Sequence, residues 1–116
     1  RLIIPPLDKV VPVKGWYDKT LPDHAPAKSR PAKVACAWID CDYYESTVPV
    51  LQFLTSRLAV GSLLLFDDWK VYRNLPDKGQ QRATSEWLAA NPGLELIQIF
   101  DFGHHGRAFT VAKVPA

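Results

Sequence analysis

The chain has 116 residues, of which 47% are apolar and 22% charged, and its formal net charge is +2. This composition is typical of one small globular domain, and it excludes wholesale disorder, a coiled coil and a collagen-like chain. The longest strongly apolar run, at residues 63–66, is too short to cross a bilayer, and the basic residues form no dense stripe. We therefore expect neither a membrane nor a nucleic acid as a partner.

The first 33 residues are rich in proline and favour irregular structure. Six of the ten prolines lie there: Pro5, Pro6, Pro12, Pro22, Pro26 and Pro31. Residues 10–14 could form a short strand, which Pro12 would restrict to a sheet edge, and residues 18–33 have the composition of a loop. We divide the chain into an irregular segment at 1–33, with the remnant of an upstream strand, and an α/β part at 34–116.

From residue 34 the chain alternates between apolar runs and helical patterns. Residues 34–39 are a continuous apolar run of the kind that suits a strand covered on both faces. Apolar residues at helical spacing then predict a helix over 43–59, with Asp42 or Ser46 as its cap. A second apolar strand is predicted at 62–66.

The second half of the chain continues this alternation and then changes. We predict a loop at 71–79, a helix at 80–90, a strand at 94–100, a turn at 101–106 and a last strand at 107–114. Alternating strands and helices indicate a parallel sheet, whereas the short turn between the last two strands indicates an antiparallel hairpin. The predicted class is therefore an α/β fold whose parallel sheet ends in a hairpin.

Two cysteines, Cys36 and Cys41, bear on the cellular compartment. Their odd separation places them on opposite faces of a strand, so we expect two buried free thiols rather than a disulfide. Free thiols and the lack of a signal-peptide pattern favour the cytoplasm. The chain opens at Arg1 and contains no methionine, so we also expect residues upstream of it.

Acidic side chains follow both strands that are predicted to be parallel. Asp40 ends the first strand, with Asp42 two residues on, and Asp67 and Asp68 end the second. Neighbouring parallel strands place such residues in one small volume, where several carboxylates cannot all ionise without a compensating charge. Mg²⁺ is the natural partner for such a site. The alternatives are solvated loop acids, helix caps or a phosphorylatable aspartate pocket, so the acids alone do not choose the reaction.

Other polar and aromatic residues are weaker candidates. Trp69 follows the acids and could line a pocket. His104 and His105 could bind substrate or metal, but a glycine-flanked turn favours simple exposure. Lys70 and Arg73 could steer a polar substrate or could be solvated charges.

Two motifs follow each other along the chain: Asp-Cys-Asp-Tyr-Tyr-Glu-Ser-Thr at 40–47 and Gly-Ser-Leu-Leu-Leu-Phe-Asp-Asp-Trp at 61–69. In this order they resemble the macrocin O-methyltransferase family. Residues 14–22 and 79–88 also look like elements of that family, so the resemblance runs from about residue 10 to the C-terminus. Its members are class I enzymes that use S-adenosylmethionine to methylate hydroxyls of sugars and related natural products.

The resemblance implies roles for individual residues. Asp40, Asp67 and Asp68 match positions that hold Mg²⁺, which orients the acceptor hydroxyl and lowers its pKa. Asp40 is also the best candidate for the general base, because it would lie beside the metal-bound hydroxyl. Trp69 and Tyr43, which stand in the same two motifs, are assigned to the small-molecule hydroxyl acceptor.

The departures from the family pattern concern the methyl donor. No Gly-x-Gly occurs anywhere in the sequence, although a class I methyltransferase needs a glycine-rich turn after its first strand. The expected fold is therefore the C-terminal half of a Rossmann-like class I methyltransferase sheet, and the donor-binding residues stay unassigned. We expect the 116 residues alone to bind S-adenosylmethionine weakly and to be inactive. The alternatives are a truncated, non-enzymatic module that binds a protein partner or forms a homo-oligomer through its open sheet edge, and a different metal-dependent enzyme such as a phosphoryl-transfer domain.

Overall fold

The structure is a computed structural model, and it describes residues 9–23 and 31–115. In chain order the elements are α1 (Tyr17–Thr20), β1 (Cys36–Ile39), α2 (Tyr44–Leu54), β2 (Leu63–Phe66), α3 (Gly79–Ala90), β3 (Glu95–Phe102) and β4 (Gly106–Lys113). From residue 34 onward this is the predicted order of strands and helices. Residues 1–8 and 24–30 of the proline-rich segment lie outside the described residues.

The four strands form one mixed sheet in the order β1-β2-β4-β3. β1 pairs with β2 in parallel, with Ile39 opposite Phe66, and the other two pairings are antiparallel. This confirms the predicted α/β class with a terminal hairpin. Because β1 and β2 run in the same direction and in register, their carboxyl ends lie side by side.

The bounds of α2 differ from the predicted helix over 43–59. The helix ends at Leu54, and the chain then tightens into a turn in which the Arg57 N–H bonds to the Leu54 carbonyl at 2.8 Å. Leu58 still reaches the core because it follows this turn. Neither Asp42 nor Ser46 caps the helix, since the N-cap residue is Tyr43, whose side chain makes no capping bond.

Within its described residues, the proline-rich segment contains a helix that composition did not predict. Residues 17–20 form α1 rather than a loop, and the Thr20 hydroxyl donates to the Trp16 carbonyl at 3.1 Å. Residues 10–14 are neither helix nor strand. α1 packs against α2.

The core lies between one face of the sheet and the two longer helices. Its buried apolar side chains come from β1, β2, β4, α2, α3 and the turns beside them: Ile39, Leu51, Leu54, Leu58, Leu64, Phe66, Ala83, Trp87, Leu94 and Val111. Trp87 also donates from Nε1 to the hydroxyl of Thr55 just after α2, at 2.8 Å. The core thus holds α2 and α3 beside each other on the same side of the sheet.

The opposite face of the sheet is open, which corrects the prediction that β1 is covered on both faces. Trp38 is 63% exposed and Ile97 55%. We call this the open face and define it by side chains in register on the same side: Cys36, Trp38, Leu63, Leu65, Ile97 and Phe100. Both cysteines are free as expected, but Cys36 is exposed rather than buried because it lies on this face, and Cys41 is half-buried.

Among the described residues, no helix has the length and apolar character that crossing a membrane requires.

Candidate metal and active site

The site begins where the two parallel strands end. Asp40 directly follows β1 and Asp67 directly follows β2. The Asp67 N–H donates to the Ile39 carbonyl at 3.0 Å, so backbone pairing persists to the last residue before Asp40. The acids that follow each strand are therefore held next to one another, as the sequence predicted for parallel neighbours.

Three carboxylates converge here, and they are Asp40, Asp42 and Asp68. One oxygen of each lies within 4.8 Å of the others. Asp67 is not one of the three: its Oδ1 accepts a bond from Trp38 Nε1 at 3.3 Å, although its side chain also lies beside Asp40. The structure thus brings together two of the three predicted ligands, Asp40 and Asp68, and adds Asp42.

Asp42 enters the group through an unusual backbone conformation. Its φ of 59° lies in the left-handed region, which Asp tolerates better than most residues. In this conformation its N–H donates to Asp68 Oδ2 at 3.1 Å. The sequence offered Asp42 as a helix cap, and the signal for its position in the cluster was its two-residue spacing from Asp40.

The electrostatics of the cluster oppose ionisation. Burial, together with the nearby Asp42 and Asp40, raises the pKa of Asp68 to about 6. Partial desolvation also raises the pKa of Asp40, and the negative charges of the neighbouring Asp67 and Asp42 raise it further. A divalent cation would relieve both effects because it supplies positive charge where three carboxylates meet. An all-oxygen donor set of this kind fits Mg²⁺.

The two residues assigned to the acceptor have different surroundings. The Trp69 ring packs between Phe66 and Phe109, with both centroid distances at 5.0 Å, so it is part of an aromatic cluster beside the core. Tyr43 precedes α2 and is 59% exposed, so its ring is accessible to a ligand.

The turn after the acids is anchored to the hairpin. Asp101 accepts bonds from Lys70 Nζ at 2.7 Å and from Arg107 Nε at 2.8 Å, and these cations hold its pKa well below the usual range. Lys70 is thus engaged in an ion pair with Asp101. His104 and His105 are exposed in the turn between β3 and β4, as that turn's composition favours.

One residue of this site was missed by sequence reasoning. Gln80 is 0% exposed, and its side-chain amide contacts both strand ends. A glutamine in the first turn of a helix carries no recognisable chemical signal, so no pattern in the sequence distinguished it from Gln81.

Comparisons with known proteins relate this chain to O-methyltransferases. Residues 7–90 match the family described as Macrocin-O-methyltransferase (TylF). Over 64 residues the chain is 36% identical to the 8-demethyl-8-(2,3-dimethoxy-alpha-L-rhamnosyl)-tetracenomycin-C 4'-O-methyltransferase of Streptomyces olivaceus. The solved structure of the O-methyltransferase NovP superposes with a TM-score of 0.59 at 27% identity and covers 85% of this chain.

The relatives are much longer than this chain. The match to the Streptomyces olivaceus enzyme covers 55% of this chain but 23% of that enzyme. The match to NovP covers 36% of the NovP chain. The family match nevertheless covers most of the 116 residues, including every acid of the cluster. This chain belongs to the TylF macrocin-O-methyltransferase family.

Proposed function

We propose that this chain takes part in S-adenosylmethionine-dependent, Mg²⁺-assisted transfer of a methyl group to a hydroxyl of a sugar or natural-product acceptor in the cytoplasm. The observation that carries the proposal is the convergence of Asp40, Asp42 and Asp68 at the carboxyl ends of β1 and β2. The name of the Streptomyces olivaceus relative describes methylation of a rhamnosyl-bearing compound, which supports a sugar hydroxyl as acceptor.

The proposed role of each acid follows from its position and exposure. Asp68 is 8% exposed and hydrogen-bonded, so it is the rigid ligand of the proposed cation site. Asp40 is exposed and its pKa is raised, which suits a carboxylate that accepts the proton of the acceptor hydroxyl. Bound Mg²⁺ would supply the positive charge that favours ionisation of that hydroxyl. Asp67, beside Asp40, is proposed as a further ligand.

The acceptor and the methyl donor are assigned unequally. Tyr43, exposed beside the acids, is proposed to contact the acceptor, and Trp69 is proposed to support the same region from its aromatic cluster. No residue is assigned to S-adenosylmethionine, whose sulfonium supplies the methyl group when bound. We propose that the 116 residues provide the metal and acceptor side of the reaction and are inactive by themselves.

The test is methyl transfer by the full-length protein with the double substitution Asp67→Asn and Asp68→Asn. We expect activity to fall about 100-fold or more, because two carboxylates that hold the cation are lost. Asp77→Asn, an exposed acid in the turn before α3, is the matched control and should retain activity. Chelation of Mg²⁺ should reproduce the loss, and the 116 residues alone should show none of the activity. Full activity of the double variant, with circular dichroism unchanged, would remove the metal from the mechanism.

A second function is favoured by the open face. Trp38, Ile97 and Phe100 expose large apolar surfaces on one side of the sheet. Exposed apolar patches of this kind commonly mark interaction sites. The alternative is a non-enzymatic module that associates with a second copy of itself through this face.

A further inference from the structure

Gln80 joins the two strands that carry the acids. It is the second residue of α3, and its side chain is completely buried. Its Nε2 donates to the Ile39 carbonyl at 3.1 Å, and its Oε1 accepts from the Asp68 N–H at 3.1 Å. One amide therefore bridges the end of β1 to the residue that supplies the buried carboxylate.

The Gln80 bridge lies at the point where the backbone pairing of β1 with β2 ends. The Ile39 carbonyl already accepts the Asp67 N–H at 3.0 Å, so with Gln80 both of its lone pairs are used. On the other side, Asp68 Oδ2 accepts the Asp42 N–H at 3.1 Å. These bonds close a ring that runs from Ile39 through Gln80 and Asp68 to Asp42 and back along the chain.

The start of α3 is itself held in place. Gly79 has a φ of +56°, and a Cβ built on it would lie 2.6 Å from the ring of Tyr72. The helix therefore begins in close contact with that ring, and Gln80 projects from a constrained position. Because the nitrogen and oxygen of one side-chain amide lie at a fixed distance from each other, an amide that donates to one strand end and accepts from the other limits the distance between them.

We propose that Gln80 is a positioning residue that sets the separation of the Asp40 and Asp68 carboxylates and thereby the affinity of the site for Mg²⁺. The proposal rests on the proposed function, since it concerns the same cation. Gln80 touches neither the cation nor the acceptor in this scheme. It acts through the backbone of Ile39 and Asp68, as supporting residues of metal sites commonly do.

The chain offers a matched control one residue along. Gln81 lies in the same turn of α3, and its Nε2 donates to the Trp69 carbonyl at 3.0 Å and to Asn74 Oδ1 at 2.6 Å. The substitution Gln81→Met thus removes the same chemical group from the same helix without touching Ile39 or Asp68. Gln80→Met removes the bridge and keeps a side chain of similar length.

The experiment titrates Mg²⁺ into the full-length protein by isothermal calorimetry, for the wild type, Gln80→Met, Gln81→Met and Asp68→Asn. We expect Gln80→Met to raise the Mg²⁺ Kd by about 10- to 100-fold and Gln81→Met to leave it within about threefold. Hydrogen exchange should accelerate at the Asp68 N–H of Gln80→Met and remain unchanged at Leu64 within β2. In the methyl-transfer assay, saturating Mg²⁺ should restore much of the activity of Gln80→Met.

Each outcome decides the matter. An unchanged Kd in Gln80→Met, or an equal rise in Gln80→Met and Gln81→Met, would overturn the role of Gln80. If Asp68→Asn abolishes binding in that case, the proposed metal site survives. No binding by the wild type would overturn both.

If Gln80→Met does not fold, Gln80→Asn replaces it, because the shorter amide keeps a polar group but cannot reach both backbone partners. A raised Kd in Gln80→Asn supports the bridge, and a wild-type Kd overturns it.

Discussion

At the scale of single residues, Asp68 bears a charge that costs the fold stability. It is 8% exposed and lies beside Asp40 and Asp42, and its pKa is raised to about 6. A raised pKa means that the carboxyl group holds its proton more tightly in the folded protein than in the unfolded chain. At neutral pH its ionisation therefore lowers the free energy of unfolding unless a cation is bound.

We predict that Asp68→Asn stabilises the cation-free protein at pH 7 by roughly 1–3 kcal/mol, since each pKa unit corresponds to about 1.4 kcal/mol. The amide oxygen can still accept the Asp42 N–H, so the backbone contact survives. The gain should shrink as the pH falls from 6 toward 4, because the wild-type carboxylate then becomes protonated in the folded protein. Urea unfolding with chelator at several pH values measures this. A variant less stable than the wild type at pH 7 would show that burial and the neighbouring acids do not disfavour the charged form of Asp68.

At the scale of elements, the pairing of α2 with α3 places the start of α3 against the acids. Leu51 of α2 is 1% exposed and belongs to the same core cluster as Ala83 and Trp87 of α3. Since Gln80 also belongs to α3, the position of this helix depends on the packing of its inner face. The packing of the helices and the geometry of the site are therefore linked through one element.

Leu51→Ala is expected to lower the free energy of unfolding by about 2–5 kcal/mol, because it leaves a cavity in a closely packed core. Val60→Ala is the control, since Val60 is 66% exposed and should cost well under 1 kcal/mol. Chemical denaturation of both variants makes the comparison. Equal effects would show that α2 is not packed as described.

For the whole molecule, the open face decides which associations are available. Its apolar side chains lie on the side of the sheet opposite α2 and α3. Parallel strands are ordinarily covered on both faces, so exposure of Trp38 on β1 is an unusual condition for a stable domain. The second candidate function depends on this surface alone.

If the 116 residues associate with a second copy through the open face, the double substitution Ile97→Lys and Phe100→Lys should shift them to monomer. Two charges in an apolar contact would be buried without partners. Sedimentation velocity over a range of concentrations measures the shift, with Val71→Lys, on an exposed site outside the sheet, as the control. A wild type that is monomeric at every concentration would contradict the second candidate.

Much of the fold follows from local patterns in the sequence. Apolar runs ending in Asp40 and in Asp67 and Asp68 predicted two parallel strands with acids at one edge, and the short turn before residue 106 predicted the hairpin. These features are local because strand length, helical spacing and turn residues are each set within a few positions. The motifs at 40–47 and 61–69 likewise pointed to the family that the comparisons show.

Tertiary structure alone decided the details that bring the acids together. The Asp42 N–H reaches Asp68 across 26 positions of sequence, and Gln80 reaches Ile39 across 41. The open face was also decided at this level, because an apolar run is the same whether one side of its strand is covered or both. Contacts between distant positions depend on how the elements pack, and periodicity along the chain carries no record of that packing. The sequence by itself thus determined which elements form and where acids gather, and the packed structure determined which carboxylates meet.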